Sequence, residues 1–374
     1  MWDLIWTIVF MLFLLYVQMD FLMLYHAVLT MEEEARTENY GVLESYPEVT
    51  DFYCPTCHRH FSSYDHCHRH AESRKHNISS LYCQYSIEGL PRCHRSSPGM
   101  EDEYQFGSCC FAGRKRKMED IHWVSPYDID RKEGVTVPVL YGLCDGHLGT
   151  NAARYLADEI EEFLLMRRHD RLPSAGDVRD AFKKARDTYV RQYCYSGDIS
   201  GSTSTIVIKN DGELIIANIG DSSAFICCDS KGDPFPVTVN HRITDDKEKQ
   251  RILAIGGKIK DKRLFGQLAL SRSFGDCPYS SFLSVEPYIY SVEINRLLHR
   301  YIVLASDGVW DYLSIEEVNA IVKSVLTEEQ IQSATKKGVR RLLDRAAMLV
   351  SYEAYVRGST DNICTMVISL LDNE

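Results

Sequence analysis

The sequence predicts an α+β fold in which antiparallel sheets are flanked by helices. The first observation is a pair of β-rich runs in residues 204–221, joined by the turn residues Asn210-Asp211-Gly212, which is a strong hairpin signal. The second is that helical periodicity is confined to separate segments, chiefly 150–165 and 339–355. Strands that cluster in hairpins, with helices set apart, favour antiparallel sheets over a doubly wound parallel sheet.

The individual elements follow from their residue patterns. Residues 301–306 (YIVLAS) and 363–369 (ICTMVIS) are continuous apolar runs typical of buried strands. Thr150 is a suitable N-cap for the first predicted helix. The apolar side chains on one face of that helix are Ala153, Leu156, Ile160, Phe163 and Leu164.

Composition indicates a folded protein and excludes some function classes. Of 374 residues, 45% are apolar and 25% are charged, and the net charge of −11 argues against a nucleic-acid surface spread over the whole chain. Several of the thirteen cysteines stand in adjacent pairs or inside predicted strands, positions that suit buried free thiols better than a disulfide framework and favour a reducing compartment. The positions that support this are Cys109, Cys110, Cys144, Cys227, Cys228 and Cys364.

Residues 1–30 differ from the rest of the chain. Residues 4–17 are an unbroken apolar run, and a second run over 21–29 brings the total to the roughly 20 residues that span a bilayer, with Asp20 between them. No Lys or Arg precedes Arg36, which argues against a signal peptide. Residues 1–30 are therefore a candidate membrane anchor, with an amphipathic or artefactual N-terminus as the alternative. The catalytic region is expected to face the cytoplasm if anchored, or otherwise to be soluble in the cytoplasm or nucleus.

A zinc finger is predicted at residues 51–78. Cys54, Cys57, His70 and His76 have the spacing C-x2-C-x12-H-x5-H, which suits two thiolates on a hairpin and two imidazoles on a helix around Zn²⁺. The flanking residues resemble fingers that bind double-stranded RNA. The alternative is a metal-scavenging loop rich in Cys and His. A weakly patterned linker, 79–103, follows.

Acidic residues recur where predicted strands begin or end. One Asp-Gly pair alone is more often a turn. Several carboxylates that converge would repel one another unless a cation neutralised them, and oxygen ligands of this kind suit Mg²⁺ or Mn²⁺. The residues in question are Glu119, Asp120, Asp145, Asp221, Asp307 and Asp361.

An ordered set of motifs resembles the metal-dependent type 2C family of Ser/Thr protein phosphatases over residues 104–371. The motifs are GRKRKMED, YGLCDGHLG, SGSTST, ANIGDSSA, RILAIGG, LALSRSFGD, LASDGVWD and GSTDNI. The resemblance implies a four-layer sandwich of two antiparallel sheets flanked by helices. It also implies a monomeric catalytic domain that acts on phosphoprotein substrates, hydrolysing phosphoserine and phosphothreonine by attack of a hydroxide that bridges two Mg²⁺ or Mn²⁺ ions.

The resemblance assigns roles by motif match. Asp145 is expected to bridge the two ions, the Gly146 carbonyl to bind one, and Asp307 and Asp361 to complete the shell. Asp120, with Glu119, is expected to hold ion-bound waters. Asp221 and Asp311, with Asp307, match a third and weaker ion position. His147 is the expected general acid, and Lys115 and Arg263 are expected to bind the substrate phosphate.

The chain departs from the family pattern at several positions. Lys115 stands where an arginine is usual, with Arg114 and Arg116 as alternative phosphate ligands; Leu148 replaces a glycine and Ser223 replaces an arginine. Lys115 is expected to retain phosphate binding but to bind more weakly than an arginine, and the Ser223 change puts substrate choice in doubt more than the chemistry. The competing hypothesis is a weak or inactive phosphatase fold that acts as an RNA- or protein-binding adaptor.

Overall fold

The computed structural model describes residues 105–126, 138–165, 173–210, 212–228, 232–327, 331 and 334–371, together with three short strands nearer the N-terminus. Those strands are β1 (Asp51–Cys54), β2 (Arg59–Phe61) and β3 (Tyr82–Gln84), which form an antiparallel sheet in the order β2-β1-β3. The candidate anchor (1–30) and three of the zinc-finger ligands, Cys57, His70 and His76, lie outside the described residues; Cys54 is described only as part of β1.

The remaining elements make up the main domain. Its strands are β4 (Phe106–Phe111), β5 (Ile121–Pro126), β6 (Val139–Cys144), β7 (Gly146–His147), β8 (Gly201–Ser202), β9 (Ser204–Lys209), β10 (Glu213–Ile219), β11 (Ser223–Cys228), β12 (Phe235–Pro236), β13 (Ile259–Lys260), β14 (Arg263–Leu264), β15 (Phe274–Gly275), β16 (Tyr288–Glu293), β17 (His299–Ala305) and β18 (Ile363–Ser369). Its α-helices are α1 (Asn151–Leu165), α2 (Ala175–Gln192), α3 (Asp246–Ala254), α4 (Asp307–Trp310), α5 (Ile315–Val325) and α6 (Lys336–Val356).

Two five-stranded sheets pack face to face. The first has the order β16-β10-β9-β6-β5 and the second β12-β11-β17-β18-β4, and all of their neighbouring strands are antiparallel. Side chains from both sheets share one buried cluster, in which Tyr141 and Ile216 of the first sheet join Ile226 and Met366 of the second. The hairpin predicted at 210–212 is confirmed as the connection from β9 to β10.

Helices cover the outer face of each sheet. Leu156 of α1 and Phe182 of α2 lie in one cluster with Leu140 of the first sheet. On the far side, Val318 of α5 and Leu343 of α6 pack with strands of the second sheet. The predicted four-layer α+β sandwich is therefore confirmed, and the burial of both faces of each sheet explains why its strands are continuous apolar runs.

Local sequence explains where two helices begin and why β5 and β6 can pair. Ser174 and Ser314 open α2 and α5 with capping boxes, in which the serine accepts from the third helical N–H and the acidic side chain at that position accepts from the cap. In β6, Gly142 lies under the Trp123 ring, where a Cβ would overlap the indole. The absence of a side chain at this one position allows β5 and β6 to pair.

The cysteine prediction is partly wrong. Cys110 and Cys364 form a disulfide because β4 and β18 are neighbours and the two residues lie directly opposite each other, although 254 positions separate them in sequence. A second disulfide joins Cys194 to Cys277. Among the described cysteines, Cys109, Cys144, Cys227 and Cys228 form no disulfide, as predicted, although Cys109 is only partly buried. These two disulfides weaken the expectation of a reducing compartment, which depended on free thiols.

Within the part of the chain that the structure describes, no helix is both long enough and apolar enough to cross a bilayer.

Candidate metal centre

The topology brings the predicted aspartates to one end of the sandwich. Asp120 precedes β5 and Asp145 follows β6, and these two strands pair so that Ile121 lies opposite Cys144. Asp307 follows β17 and Asp361 precedes β18, and these strands also pair as antiparallel neighbours. Carboxylates at the ends of paired strands are thus adjacent in space even though the chain between them is long.

Three of the aspartates converge on one point. One carboxylate oxygen from each of Asp145, Asp221 and Asp307 lies within 4.8 Å of the other two. The backbone around Asp145 is fixed, because its carbonyl accepts from the Thr203 N–H at 2.9 Å and its own N–H donates to the Thr203 hydroxyl at 3.1 Å. The cluster is therefore a built part of the fold.

The backbone at Gly146 also explains the residue type. A Cβ at this position would lie 2.5 Å from the Glu119 carbonyl oxygen, so only glycine allows the Asp145 turn to approach the chain at Glu119-Asp120. The Glu119 carboxylate, predicted to hold an ion-bound water, accepts a hydrogen bond from the Gly149 N–H at 2.7 Å. Glu119 therefore connects the two segments of the centre.

The carboxylates are electrostatically unfavourable without a cation. Burial, reinforced by the neighbouring carboxylates, raises the pKa of Asp120 to about 8, that of Asp307 to about 7, and that of Asp145 well above its ordinary value. One oxygen of Asp120, Oδ2, is buried and accepts no hydrogen bond from any described residue. Hard oxygen donors with raised pKa values and an unused buried lone pair fit divalent cations such as Mg²⁺ or Mn²⁺.

Lys115 lies at the edge of this cluster. Its ammonium forms an ion pair with Asp361. Burial alone would lower the pKa of Lys115, but the Asp361 carboxylate and the nearby Asp145 and Glu119 raise it above its ordinary value, so the side chain stays charged. Lys115 therefore supplies a positive charge at the position where the resemblance places a phosphate ligand.

Asn362 holds the Lys115 loop in place. Its amide group donates to the carbonyls of Ala112 at 3.0 Å and Lys117 at 2.8 Å, and its Oδ1 accepts from the Glu119 N–H at 2.7 Å. The loop before β5 is thus fastened to the start of β18. The sequence analysis missed this role; the Asn in the GSTDNI motif was its only signal.

The predicted phosphate ligand Arg263 and the alternative ligand Arg114 make other contacts. Arg114 donates to the carbonyls of Tyr355 and Ser359 and stacks over the Tyr355 ring, so it is committed to structure. Arg263 lies on the exposed β13–β14 hairpin and donates to the Gln267 carbonyl at 2.7 Å. None of these described contacts of Arg114 and Arg263 involves the carboxylate cluster, whereas Lys115 pairs with Asp361.

His147 is held by a partner that sequence reasoning missed. Its Nε2 lies 2.8 Å from the Asp276 carboxylate, and Asp276 is only 1% exposed and also accepts from the Ser273 hydroxyl at 2.5 Å. Burial opposes protonation of His147, but Asp276 outweighs it and raises the pKa of the imidazole. The contact fixes the orientation of the imidazole through its Nε2. The signal was the acidic end of the LALSRSFGD motif.

The predicted third ion position is occupied by an arginine side chain. Arg242 Nε lies 2.7 Å from Asp221, and its Nη2 lies 3.0 Å from Asp311 and 3.5 Å from Asp307. These are the three aspartates to which the resemblance assigned a weaker ion. Sequence analysis did not single out Arg242.

Leu148 lies beside the centre and is exposed to solvent. It has a left-handed backbone, with φ of 56°, and 54% of the residue is exposed. This conformation is ordinary for glycine, the residue that the resemblance leads one to expect at this position, and costly for leucine. An exposed aliphatic side chain therefore follows His147 directly.

Comparison with known proteins agrees with this architecture. The family model for protein phosphatase 2C matches residues 104–363, which is more than half of the chain. The probable protein phosphatase 2C 59 of Arabidopsis thaliana is 30% identical over 277 residues, covering 73% of this chain and 81% of that protein. Protein phosphatase 1L of Bos taurus is 30% identical over 269 residues, covering 68% and 69%. The chain belongs to the protein phosphatase 2C family.

Solved structures support the fold. A serine-threonine phosphatase 2C from Toxoplasma gondii superposes with a TM-score of 0.57 at 20% identity, covering 75% of this chain and 96% of that one. A C. elegans sex-determining protein superposes with a TM-score of 0.62, also at 20% identity, covering 82% and 71%.

Proposed function

We propose that this chain is a metal-dependent phosphatase that hydrolyses phosphoserine and phosphothreonine in proteins. The observation that carries the proposal is the convergence of buried aspartates with raised pKa values at one end of the sandwich, beside a lysine and a histidine. Membership of the protein phosphatase 2C family supports the same activity.

The residues suited to hold two divalent cations are Asp120, Asp145, the Gly146 carbonyl, Asp307 and Asp361. When bound, such cations provide a hydroxide nucleophile at neutral pH and offset the negative charge of the phosphate. Glu119 supports this shell, because its Oε1 accepts from the Gly149 N–H and so ties Glu119 to the turn after His147. The residues thus divide into ligands and supports.

The chain's own side chains complete the chemistry. Lys115 attracts and orients the phosphate as a point charge, without the two-pronged hydrogen bonding of an arginine. His147 donates a proton from Nδ1 to the departing serine or threonine oxygen, which is a poor leaving group as an alkoxide. Asp276 accepts from Nε2 and stabilises the protonated ring during this step.

The test is release of phosphate from a phosphothreonine peptide with Mn²⁺, comparing wild type with Asp145→Asn. We expect the variant to lose at least about a hundredfold in kcat/KM, as expected when an electrostatic group of the transition state is removed. Asp187→Asn is a matched control, because Asp187 pairs with Arg186 on the surface of α2. Unchanged activity in Asp145→Asn would refute the assignment. A metal-loaded wild type without activity would favour the adaptor hypothesis.

We further propose, from sequence alone, that Cys54, Cys57, His70 and His76 bind Zn²⁺ and that residues 1–30 associate with membranes. RNA is the proposed ligand of the finger. Zinc content separates the first idea from its alternative: the wild-type chain should hold about one equivalent, and Cys54→Ser should lose it. Membrane association that persists after deletion of residues 1–30 would rule out the anchor.

A further inference from the structure

Arg242 lies among three carboxylates at one side of the candidate metal centre. Its guanidinium contacts Asp221 through Nε and contacts Asp311 and Asp307 through Nη2, at 2.7, 3.0 and 3.5 Å respectively. Asp221 is buried, whereas Asp311 is half exposed. The arginine therefore spans the cluster from its interior to its rim.

The position of Arg242 is fixed by the backbone around it. The His241 N–H donates to the Gly220 carbonyl, and the Ile243 N–H donates to the Ala269 carbonyl, both at 2.9 Å. Arg242 itself forms a β-bridge with Leu270. The segment is thus held on both sides, next to the turn that carries Asp221, and the side chain extends from a rigid base.

The positive charge of Arg242 complements the negative charges of the aspartates that it contacts. Burial raises the pKa of Asp221, and the Arg242 guanidinium opposes that shift. A guanidinium stays charged in proteins and can donate to two carboxylates at once, and a divalent ion at the same place would overlap the guanidinium and be repelled by its positive charge. A third divalent ion and this side-chain position are therefore mutually exclusive.

We infer that Arg242 is a built-in cation that replaces a third divalent ion, so that the centre holds two ions rather than three. The inference rests on the proposed function for the two-ion centre. Its consequence is that Asp221 and Asp311 serve as carboxylates that hold Arg242, and through it orient Asp307, rather than as ion ligands. Asp307 belongs both to the proposed ion ligands and to the carboxylates that contact Arg242.

The experiment counts Mn²⁺ bound to the full chain, by measuring free Mn²⁺ with electron paramagnetic resonance at increasing total Mn²⁺. Arg242→Gln should bind one more Mn²⁺ than wild type, with weaker affinity, because the three carboxylates lose their cation. Asp311→Asn in that background should remove the added ion. Arg186→Gln is the matched control, since Arg186 pairs with Asp187 away from the centre, and should leave the count unchanged.

Two results would overturn the inference. One is an Arg242→Gln chain that folds, as judged by circular dichroism, and binds no additional Mn²⁺. The other needs no arginine variant: a wild-type chain that binds three Mn²⁺ and loses one on Asp311→Asn substitution. A wild type that binds two Mn²⁺ but releases no phosphate contradicts the proposed function and leaves the role of Arg242 supported.

Discussion

Replacing Asp307 by asparagine should stabilise the metal-free protein while it abolishes activity. Asp307 begins α4 and faces the other aspartates of the centre. Asparagine keeps the shape of the side chain and removes its charge. A residue that serves only the fold is expected to show the opposite behaviour on stability, because its substitution normally lowers the free energy of unfolding.

The magnitude follows from the pKa. Burial and the neighbouring carboxylates raise the pKa of Asp307 from 3.8 to about 7, and each pKa unit corresponds to about 1.4 kcal/mol. The side chain is 26% exposed, so water and coupling to its neighbours reduce the cost of ionising Asp307 in the folded protein. That cost is roughly 2–4 kcal/mol of unfolding free energy at pH 7.5. Because the pKa of Asp307 is higher in the folded than in the unfolded state, Asp307 does not lower the stability of the wild type below about pH 4. The wild type loses this free energy of unfolding as the pH rises from there through 7.

Thermal unfolding in a chelator, from pH 5 to 8, provides the assay. Asp307→Asn should melt several degrees above wild type at pH 7.5, and the difference should shrink toward pH 5. Added Mn²⁺ should raise the melting temperature of wild type more than that of the variant. A metal-free variant that is less stable than wild type at pH 7.5 would contradict the destabilising charge of Asp307. A variant with wild-type activity would contradict its role as an ion ligand.

Three further outcomes are expected. Asp276→Asn should lower kcat on a phosphothreonine peptide at least about tenfold but spare p-nitrophenyl phosphate, whose leaving group needs no acid; equal losses on both substrates would contradict the role of His147. Gly142→Ala should cost roughly 1–3 kcal/mol in urea unfolding, because its Cβ would overlap the Trp123 ring, and an unchanged midpoint would argue against that packing. Burial, with Arg272, lowers the pKa of His241 to about 4, so wild type should lose stability from pH 6.5 to 4 relative to His241→Gln; parallel pH profiles would contradict this.

The aspartates of the centre were predictable because each has a local signal. Asp145 and Asp307 each follow an apolar strand and precede glycine, and the paired strands β5–β6 and β17–β18 then bring such positions together. The layered fold was predictable for a similar reason, since alternation of hairpins and helical periodicity is a local property of the chain.

The partners of those residues depend on contacts that no local pattern encodes. Asp276 reaches His147 across 129 positions, and Arg242 reaches Asp311 across 69. The Cys110–Cys364 disulfide likewise arises from the pairing of β4 with β18. In each case the residue type alone fits an ordinary surface or core position, and only the register of the sheets shows what it contacts.

The most direct test of the account is phosphate release from a phosphothreonine peptide by the wild-type chain, measured in a chelator and then during titration with Mn²⁺. A metal-dependent phosphatase should release no phosphate in the chelator, and its rate should rise to saturation with Mn²⁺. Full activity in the chelator, or no release at saturating Mn²⁺, would contradict it.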